Sequence, residues 1–293
     1  MTKLTDNKDI LISVIVINFN NKAGLEKTLE SIKEQDVSCY EVIFIDGGST
    51  DGSLDVANGY SFLFSTTLIG QDTGIYNAMN LGIERACGRY LLFLNSGDYL
   101  FDVNVFNTVY ANVSAGADDT LLFGYAEIIS DMTSWLFPPV KISNDSSSLR
   151  QWLNHHEPTH QAMFFPKKYC LNHPFDEQLL IIADKKFKRG ALEQLDYSFI
   201  PLPLVKFSLG GVSSHINDLN QLKTFFRDYQ KYYISEKMTL SNLSSLIKAD
   251  LKVIIKYMLQ KTLHKDFWRF LGVFKSKIWF KYDAFVRLKD NIQ

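Results

Sequence analysis

Residues 90–100 read YLLFLNSGDYL. Tyr90–Leu94 is a continuous apolar run, short enough and flanked sharply enough for a strand buried on both faces. It stops at Asn95-Ser96-Gly97-Asp98, so a carboxylate stands at the mouth of a buried strand. An aspartate there either caps a turn or faces a ligand, and the rest of the first hundred residues bears on which.

Upstream, Leu11–Ile17 (LISVIVI) and Glu41–Ile45 (EVIFI) have the same β-branched, two-faced apolarity. Between them Leu25, Leu29 and Ile32 recur at i, i+4 and i+7 across Gly24–Gln35, one face of a helix. A turn-rich stretch, Asp46-Gly47-Gly48-Ser49-Thr50-Asp51-Gly52-Ser53, leads into a short helix from about Ser53. Phe62–Ser65 reads as a third strand. Ile75, Met79, Ile83 and Ala86 share a helical face. Strands alternating with helices through short loops predict parallel βαβ units. In such sheets ligands lie beyond the carboxyl ends of the strands. That rim carries Asn18–Asn20, Asp46–Asp51 and Ser96–Asp98.

Beyond residue 100 the pattern loosens. Leu121–Ile129 reads as a strand, 143–148 (SNDSSS) as a loop, AMFF within Thr159–Pro166 as a short strand, and a helix opens near Asp184. Residues 216–293 read as helices.

The chain has 293 residues, 46% hydrophobic and 22% charged, which suits one large domain or a domain with an appendage. Cys39, Cys87 and Cys170 form no CxxC or metal spacing and read as reduced thiols of a cytosolic protein. The first ten residues lack the apolar core of a signal peptide. No window reaches the ~20 apolar residues of a membrane span. The net charge of −1 hides a division: residues 221–293 hold 15 Lys and Arg against six Asp and Glu. A basic tail of this kind meets something anionic.

The loop DGGSTDGS can bring its backbone close to a base, ribose or phosphate, or can be a βα turn whose Ser and Asp cap the next helix. It is not GxGxxG, which disfavours a dinucleotide site. Asp98 alone suits Mg²⁺ or Mn²⁺, which take few protein carboxylates and complete their shell with substrate phosphates. Asp184 suits a helix cap or a general base. His155, His156, His160 and His173 cluster, but Pro158 interrupts and no zinc motif accompanies them.

In order, VINFNN, VIFIDGGSTDGS, GQDTGIYNAMNLGIERACGRYLLFLNSGD, HQAMFF, FDEQLLIIAD and GGVSS resemble the family 2 glycosyltransferases. More narrowly they are similar to bacterial enzymes of O-antigen, capsule or exopolysaccharide synthesis. The resemblance is dense from Ile12 to Leu100, sparser to Ser214 and absent beyond. It implies an α/β GT-A fold, Rossmann-like, with a mostly parallel sheet flanked by helices. It implies a catalytic domain over 1–215 and a helical, basic-aromatic extension over 216–293. The implied activity is an inverting hexosyl or N-acetylhexosaminyl transfer from a nucleoside-diphosphate sugar, UDP-linked, to a saccharide or lipid-linked saccharide. Asn18, Asn20, Asp46, Ser49, Asp51, Asp72, Asn80 and Ser96 would face the donor, Asp98 the metal, and Asp184 would be the base. The sequence departs from the family at Ser96-Gly97-Asp98, where only one carboxylate remains of DxD. Gly47, Met79 and Ala183 also replace residues common in relatives. A nucleotidyltransferase, or a nucleotide-sugar-binding protein without activity, are the competing readings. His215 is either a late metal ligand or a loop histidine.

Residues 251–289 interleave Lys and Arg with Phe267, Leu271, Phe274 and Ile278 at helical spacing. Basic amphipathic helices rich in Trp and Phe lie in membrane interfaces. The tail is expected either at the inner face of the cell membrane or packed on the protein or a dimer partner; no motif points to nucleic acid.

Overall fold

A computed structural model describes residues 10–113, 119–129, 134–140, 145–209, 216, 218–234 and 240–263. His215 and residues 264–289, which the sequence reading singled out, lie outside these. Strands β1 (Ile12–Asn18), β2 (Tyr40–Asp46), β3 (Phe64–Ile69) and β4 (Tyr90–Asn95) alternate with helices α1 (Lys22–Lys33), α2 (Ser53–Gly59) and α3 (Ile75–Arg85). They form the parallel run β3-β2-β1-β4. Every residue of β1 is buried, as its unbroken apolar pattern requires.

The sheet continues from β4 through β8 (Met163–Pro166), β6 (Leu121–Ile129) and β9 (Tyr197–Ser208) to β5 (Tyr99–Leu100). The β4–β8, β8–β6 and β9–β5 pairings are antiparallel. A fourth helix, α4 (Val105–Val113), follows β5, and β7 (Ser134–Phe137) pairs with β6. The third strand runs later than the sequence suggests, and β9 has no counterpart in the sequence reading. Pro201 and Pro203, two residues apart, remove N–H donors from the same edge of β9. The strand persists because β5 pairs past them, at Val205 and Lys206. Of the stretch read as a loop at 143–148, Ser146–Ser148 instead open α5 (Ser146–Leu153), capped by Asp145, whose carboxylate accepts from the Ser147 and Ser148 N–H groups.

The chain divides into two compact units. One comprises 1–126, 158–174 and 191–206 and holds the parallel strands, with α6 (Lys167–Asn172) among its helices. The other comprises 127–157, 175–190 and 207–293; to it belong α5, the first two turns of α7 (Ala183–Gln194), α8 (Leu219–Ile234) and α9 (Leu240–Leu263). No helix among the described residues is long and apolar enough to cross a membrane.

The α3–β1 packing leaves no room at Gly82, where an added Cβ would sit 2.5 Å from Ile15 Cγ2. Gly82→Ala is therefore expected to destabilise by about 1–3 kcal/mol through overpacking, measured by urea unfolding, despite the better helix propensity of alanine.

Candidate active site

The sheet register brings the rim together. Asn18 lies opposite Asp46, and Ile17 opposite Asn95, so the carboxyl ends of β1, β2 and β4 are level. Asp46 is fully buried. Its Oδ1 accepts from the N–H groups of Gly48 (2.9 Å) and Ser49 (2.6 Å). Its Oδ2 accepts from Asn18 Nδ2 (2.7 Å) and Ser49 Oγ (2.8 Å). Ser49 Oγ in turn accepts from the Asn20 N–H at 2.8 Å. Asn20 has a left-handed φ of 48°, and its Oδ1 accepts from Thr50 N–H. Asp46 thus organises the loop, each of its oxygens already accepting two bonds from the chain. The acceptor left over in this cluster is Asn18 Oδ1, buried with no hydrogen-bond partner among the described residues.

Asp51 stitches two helix starts. Its Oδ2 accepts from Lys22 N–H at 2.8 Å, and its Oδ1 from Ser53 N–H and Oγ at 3.0 and 2.6 Å. The Ser53 hydroxyl is the main reason its carboxyl sits below the ordinary range. Asp72 Oδ1 accepts from Gly74 N–H at 3.0 Å, while its Oδ2 is buried and has no partner among the described residues. A Cβ on Gly47 would stand 3.5 Å from that Oδ2 and 3.0 Å from the Phe19 ring. The 70–74 loop therefore meets the ends of β1 and β2. Asn80 lies half-buried in α3.

Asp98 is buried, at 5% exposure. The Ser96 N–H and hydroxyl both donate to the Ile17 carbonyl, at 2.9 and 3.1 Å. Gly97 has φ of 106°, a conformation that favours glycine. Thr28 of α1 donates its hydroxyl to the Asp98 carbonyl at 2.7 Å. Gln161 Nε2 donates to Asp98 Oδ2 at 2.9 Å and is itself buried. Gln161 orients this carboxylate while Thr28 holds the Asp98 backbone, and sequence reading assigned neither a role. The only local signal was that Gln161 falls in HQAMFF. Asn95 Oδ1, beside them, is another buried acceptor with no partner among the described residues.

In the second unit Asp184 occupies the first turn of α7, half-buried, with Lys188 Nζ 3.3 Å from its Oδ2. Contacts to Glu157, Leu153 and α8 hold this helix and the residues just before it. Arg189 pairs with Glu157 and donates to the Leu153 carbonyl at 2.6 Å. Asp228 of α8, wholly buried, accepts from the Ile181 N–H at 2.7 Å, and the Leu180 and Ile182 amides also stabilise its charge. Lys185 Nζ lies over the rings of Tyr229, Tyr232 and Tyr233 at 5.6–5.7 Å. His156 and His173 stack on Trp152 and Tyr169, with ring centroids 5.0 and 4.6 Å apart.

Burial raises the Asp228 carboxyl above its ordinary range, outweighing the amides. A raised folded-state pKa contributes stability at low pH, below the unfolded value, and loses it as pH rises through the folded value. Asp228→Asn is expected to flatten that decline in a pH series of thermal melts. Asp228→Ala strands the amides and is expected to cost about 1–3 kcal/mol.

Residues 13–169 match the family model Glycosyl transferase family 2. A PGL/p-HBAD biosynthesis glycosyltransferase of Mycobacterium tuberculosis is 26% identical over 260 residues, covering 86% of this chain and 96% of that protein. Among solved structures, S. aureus TarS 1–349 in complex with UDP-GlcNAc matches with a TM-score of 0.57 at 15% identity, covering 92% of this chain and 78% of that one. Against a longer TarS chain, the match spans 55% of that chain's length. A mannosyltransferase from Pyrobaculum calidifontis in complex with GDP-Man and Mn²⁺ matches with a TM-score of 0.55 at 16% identity, over 83% of this chain and 69% of that one. The family match covers more than half of the chain, over the stretch that carries the buried rim. The chain belongs to glycosyltransferase family 2 and has the GT-A fold.

Proposed function

We propose that this glycosyltransferase inverts the anomeric centre of a UDP-linked hexose or N-acetylhexosamine, transferring it to a saccharide or lipid-linked saccharide in cell-surface polysaccharide synthesis. Residues 1–215 would form the catalytic domain and 216–293 an extension at the inner face of the cell membrane. The observation that carries the donor part is the set of buried acceptors on one rim: Asn18 Oδ1, Asp72 Oδ2 and Asn95 Oδ1 have no partner among the described residues. A buried acceptor without a donor is costly, and the N–H and O–H groups of a nucleotide-sugar would satisfy these three. The nucleotide differs between the UDP-GlcNAc and GDP-Man complexes of the structural neighbours, so UDP rests on the resemblance.

Asp98 fits a divalent cation of the oxygen-seeking kind. It offers one buried carboxylate, oriented by Gln161, and no three His, Cys, Asp or Glu side chains cluster as a metal site among the described residues. Such a donor set suits Mg²⁺ or Mn²⁺ completed by a diphosphate and water. When bound, the cation would neutralise charge on the leaving diphosphate. Asp184 would take the proton from the acceptor hydroxyl. That oxygen forms the new bond to the anomeric carbon while the bond to the diphosphate oxygen breaks, and the nucleoside diphosphate leaves with the electron pair. Asn18, Asp72 and Asn80 would hold the donor; Asp46, Ser49, Asn20, Asp51 and Ser96 would shape the loops around it.

A thermal-shift screen of UDP-, GDP- and dTDP-sugars with Mn²⁺, followed by nucleotide-release assays, tests this. A selective UDP-sugar shift with acceptor-dependent UDP release is expected. No shift with any donor would overturn it. Binding without transfer would leave a nucleotide-sugar-binding protein, the reading favoured by the single carboxylate of Ser96-Gly97-Asp98.

A further inference from the structure

Helix α9 turns one face inward. Val253 is buried, Lys256 Nζ lies 5.6 Å above the Phe225 ring of α8, and Gln260 Oε1 accepts from the Ile216 N–H at 2.9 Å. A different face carries Leu243, Ile247, Leu251 and Ile255, one every four residues. They are between 45% and 59% exposed. At 3.6 residues per turn such a series drifts slowly around the helix and stays one stripe. Lys248 and Lys252, both exposed, border it along one side. The helix has four lysines and one acid, Asp250, and the whole stretch 221–293 has 15 Lys and Arg against six Asp and Glu.

A continuous exposed apolar stripe is unusual on a soluble surface unless something meets it. Three kinds of occupant compete: a lipid surface, a second copy of this chain, and residues 264–293. Charge separates them. A second copy would bring α9 lysines against α9 lysines, and 264–293 is itself basic, with seven Lys and Arg against three Asp and Glu. An anionic surface complements the lysine border and accepts the leucines and isoleucines together, as an amphipathic helix lying in a membrane interface does.

We propose that the Leu243–Ile247–Leu251–Ile255 face of α9, bordered by Lys248 and Lys252, docks on an anionic lipid surface. This deepens the membrane part of the proposed function by naming the contact, and it does not depend on the donor or the base.

The test is co-sedimentation of the full-length protein with vesicles of phosphatidylcholine alone or with phosphatidylglycerol added. Binding to the anionic vesicles only, weakened by salt, is expected. The double variant Ile247→Glu/Leu251→Glu should partition at least about tenfold less. Lys248→Glu/Lys252→Glu should also bind less, with a shallower salt dependence. Both should keep the wild-type circular dichroism and melting temperature, since the four side chains are exposed. Nucleotide release on a soluble acceptor is measured alongside: unchanged release with lost sedimentation supports the docking face, whereas lost release with normal sedimentation counts against the catalytic reading alone. Undiminished vesicle binding by the stripe variant would overturn the proposal and move the contact elsewhere. So would conversion of a wild-type dimer to a monomer by that variant, seen by light scattering, which would assign the stripe to a second copy.

Discussion

Asp184→Asn is expected to lower turnover by about 10²–10⁴-fold, the usual contribution of a positioned general base. The substitution preserves shape and a hydrogen-bonding oxygen but cannot accept a proton. Asp184 sits in the first turn of α7, its side chain a quarter exposed, next to Lys188. Replacing it buries no new cavity, so the melting temperature should change little. The helix that presents it is anchored elsewhere, by Asp228 at the Ile181 amide and by Arg189 at Glu157. A UDP-induced thermal shift should therefore survive in the variant. Lost turnover with retained UDP binding is the signature of a missing base. Near wild-type turnover would place the base on another residue and remove Asp184 from the mechanism.

Asp98→Ala is expected to have the second large effect, about 10²–10³ in turnover, the scale on which one preorganised electrostatic stabiliser acts. It should also destabilise the fold by about 1–3 kcal/mol, because Gln161 Nε2 loses its acceptor inside the protein. Asp98→Asn separates the two effects. Its side-chain oxygen can still accept from Gln161, so stability should largely return while activity stays low. Mn²⁺ binding with UDP present, followed by electron paramagnetic resonance, gives a readout independent of turnover: both variants should bind Mn²⁺ more weakly than wild type. Full wild-type activity in excess EDTA would end the cation reading and leave Asp98 as a structural carboxylate.

Much of the rim is legible in the amino-acid sequence. β1, β2 and β4 are buried on both faces, and burial on both faces leaves an unbroken apolar run that ends where the strand ends. Whatever polar residues follow such a run must lie at the sheet edge, which is why Asn18, Asp46 and Asp98 could be placed together. The helices of the first hundred residues were equally plain, because their apolar spacing is a local property. β9 was hidden by two prolines, and α5 by a serine-rich start that reads as a loop when its Asp145 cap goes unrecognised.

The roles of individual polar atoms were not legible. Asp46 reads from the chain as a residue facing a ligand, yet its two oxygens each accept two bonds from neighbours, leaving Asn18 Oδ1 as the acceptor without one. Gln161 reaches Asp98 across 63 positions, and Asp228 reaches Ile181 across 47. Periodicity and capping preferences act over a few residues, so the chain alone could announce strands, helices and the rim at their ends. Which donor meets which acceptor depends on the order in which strands lie side by side and on how helices pack, and only the folded arrangement sets that.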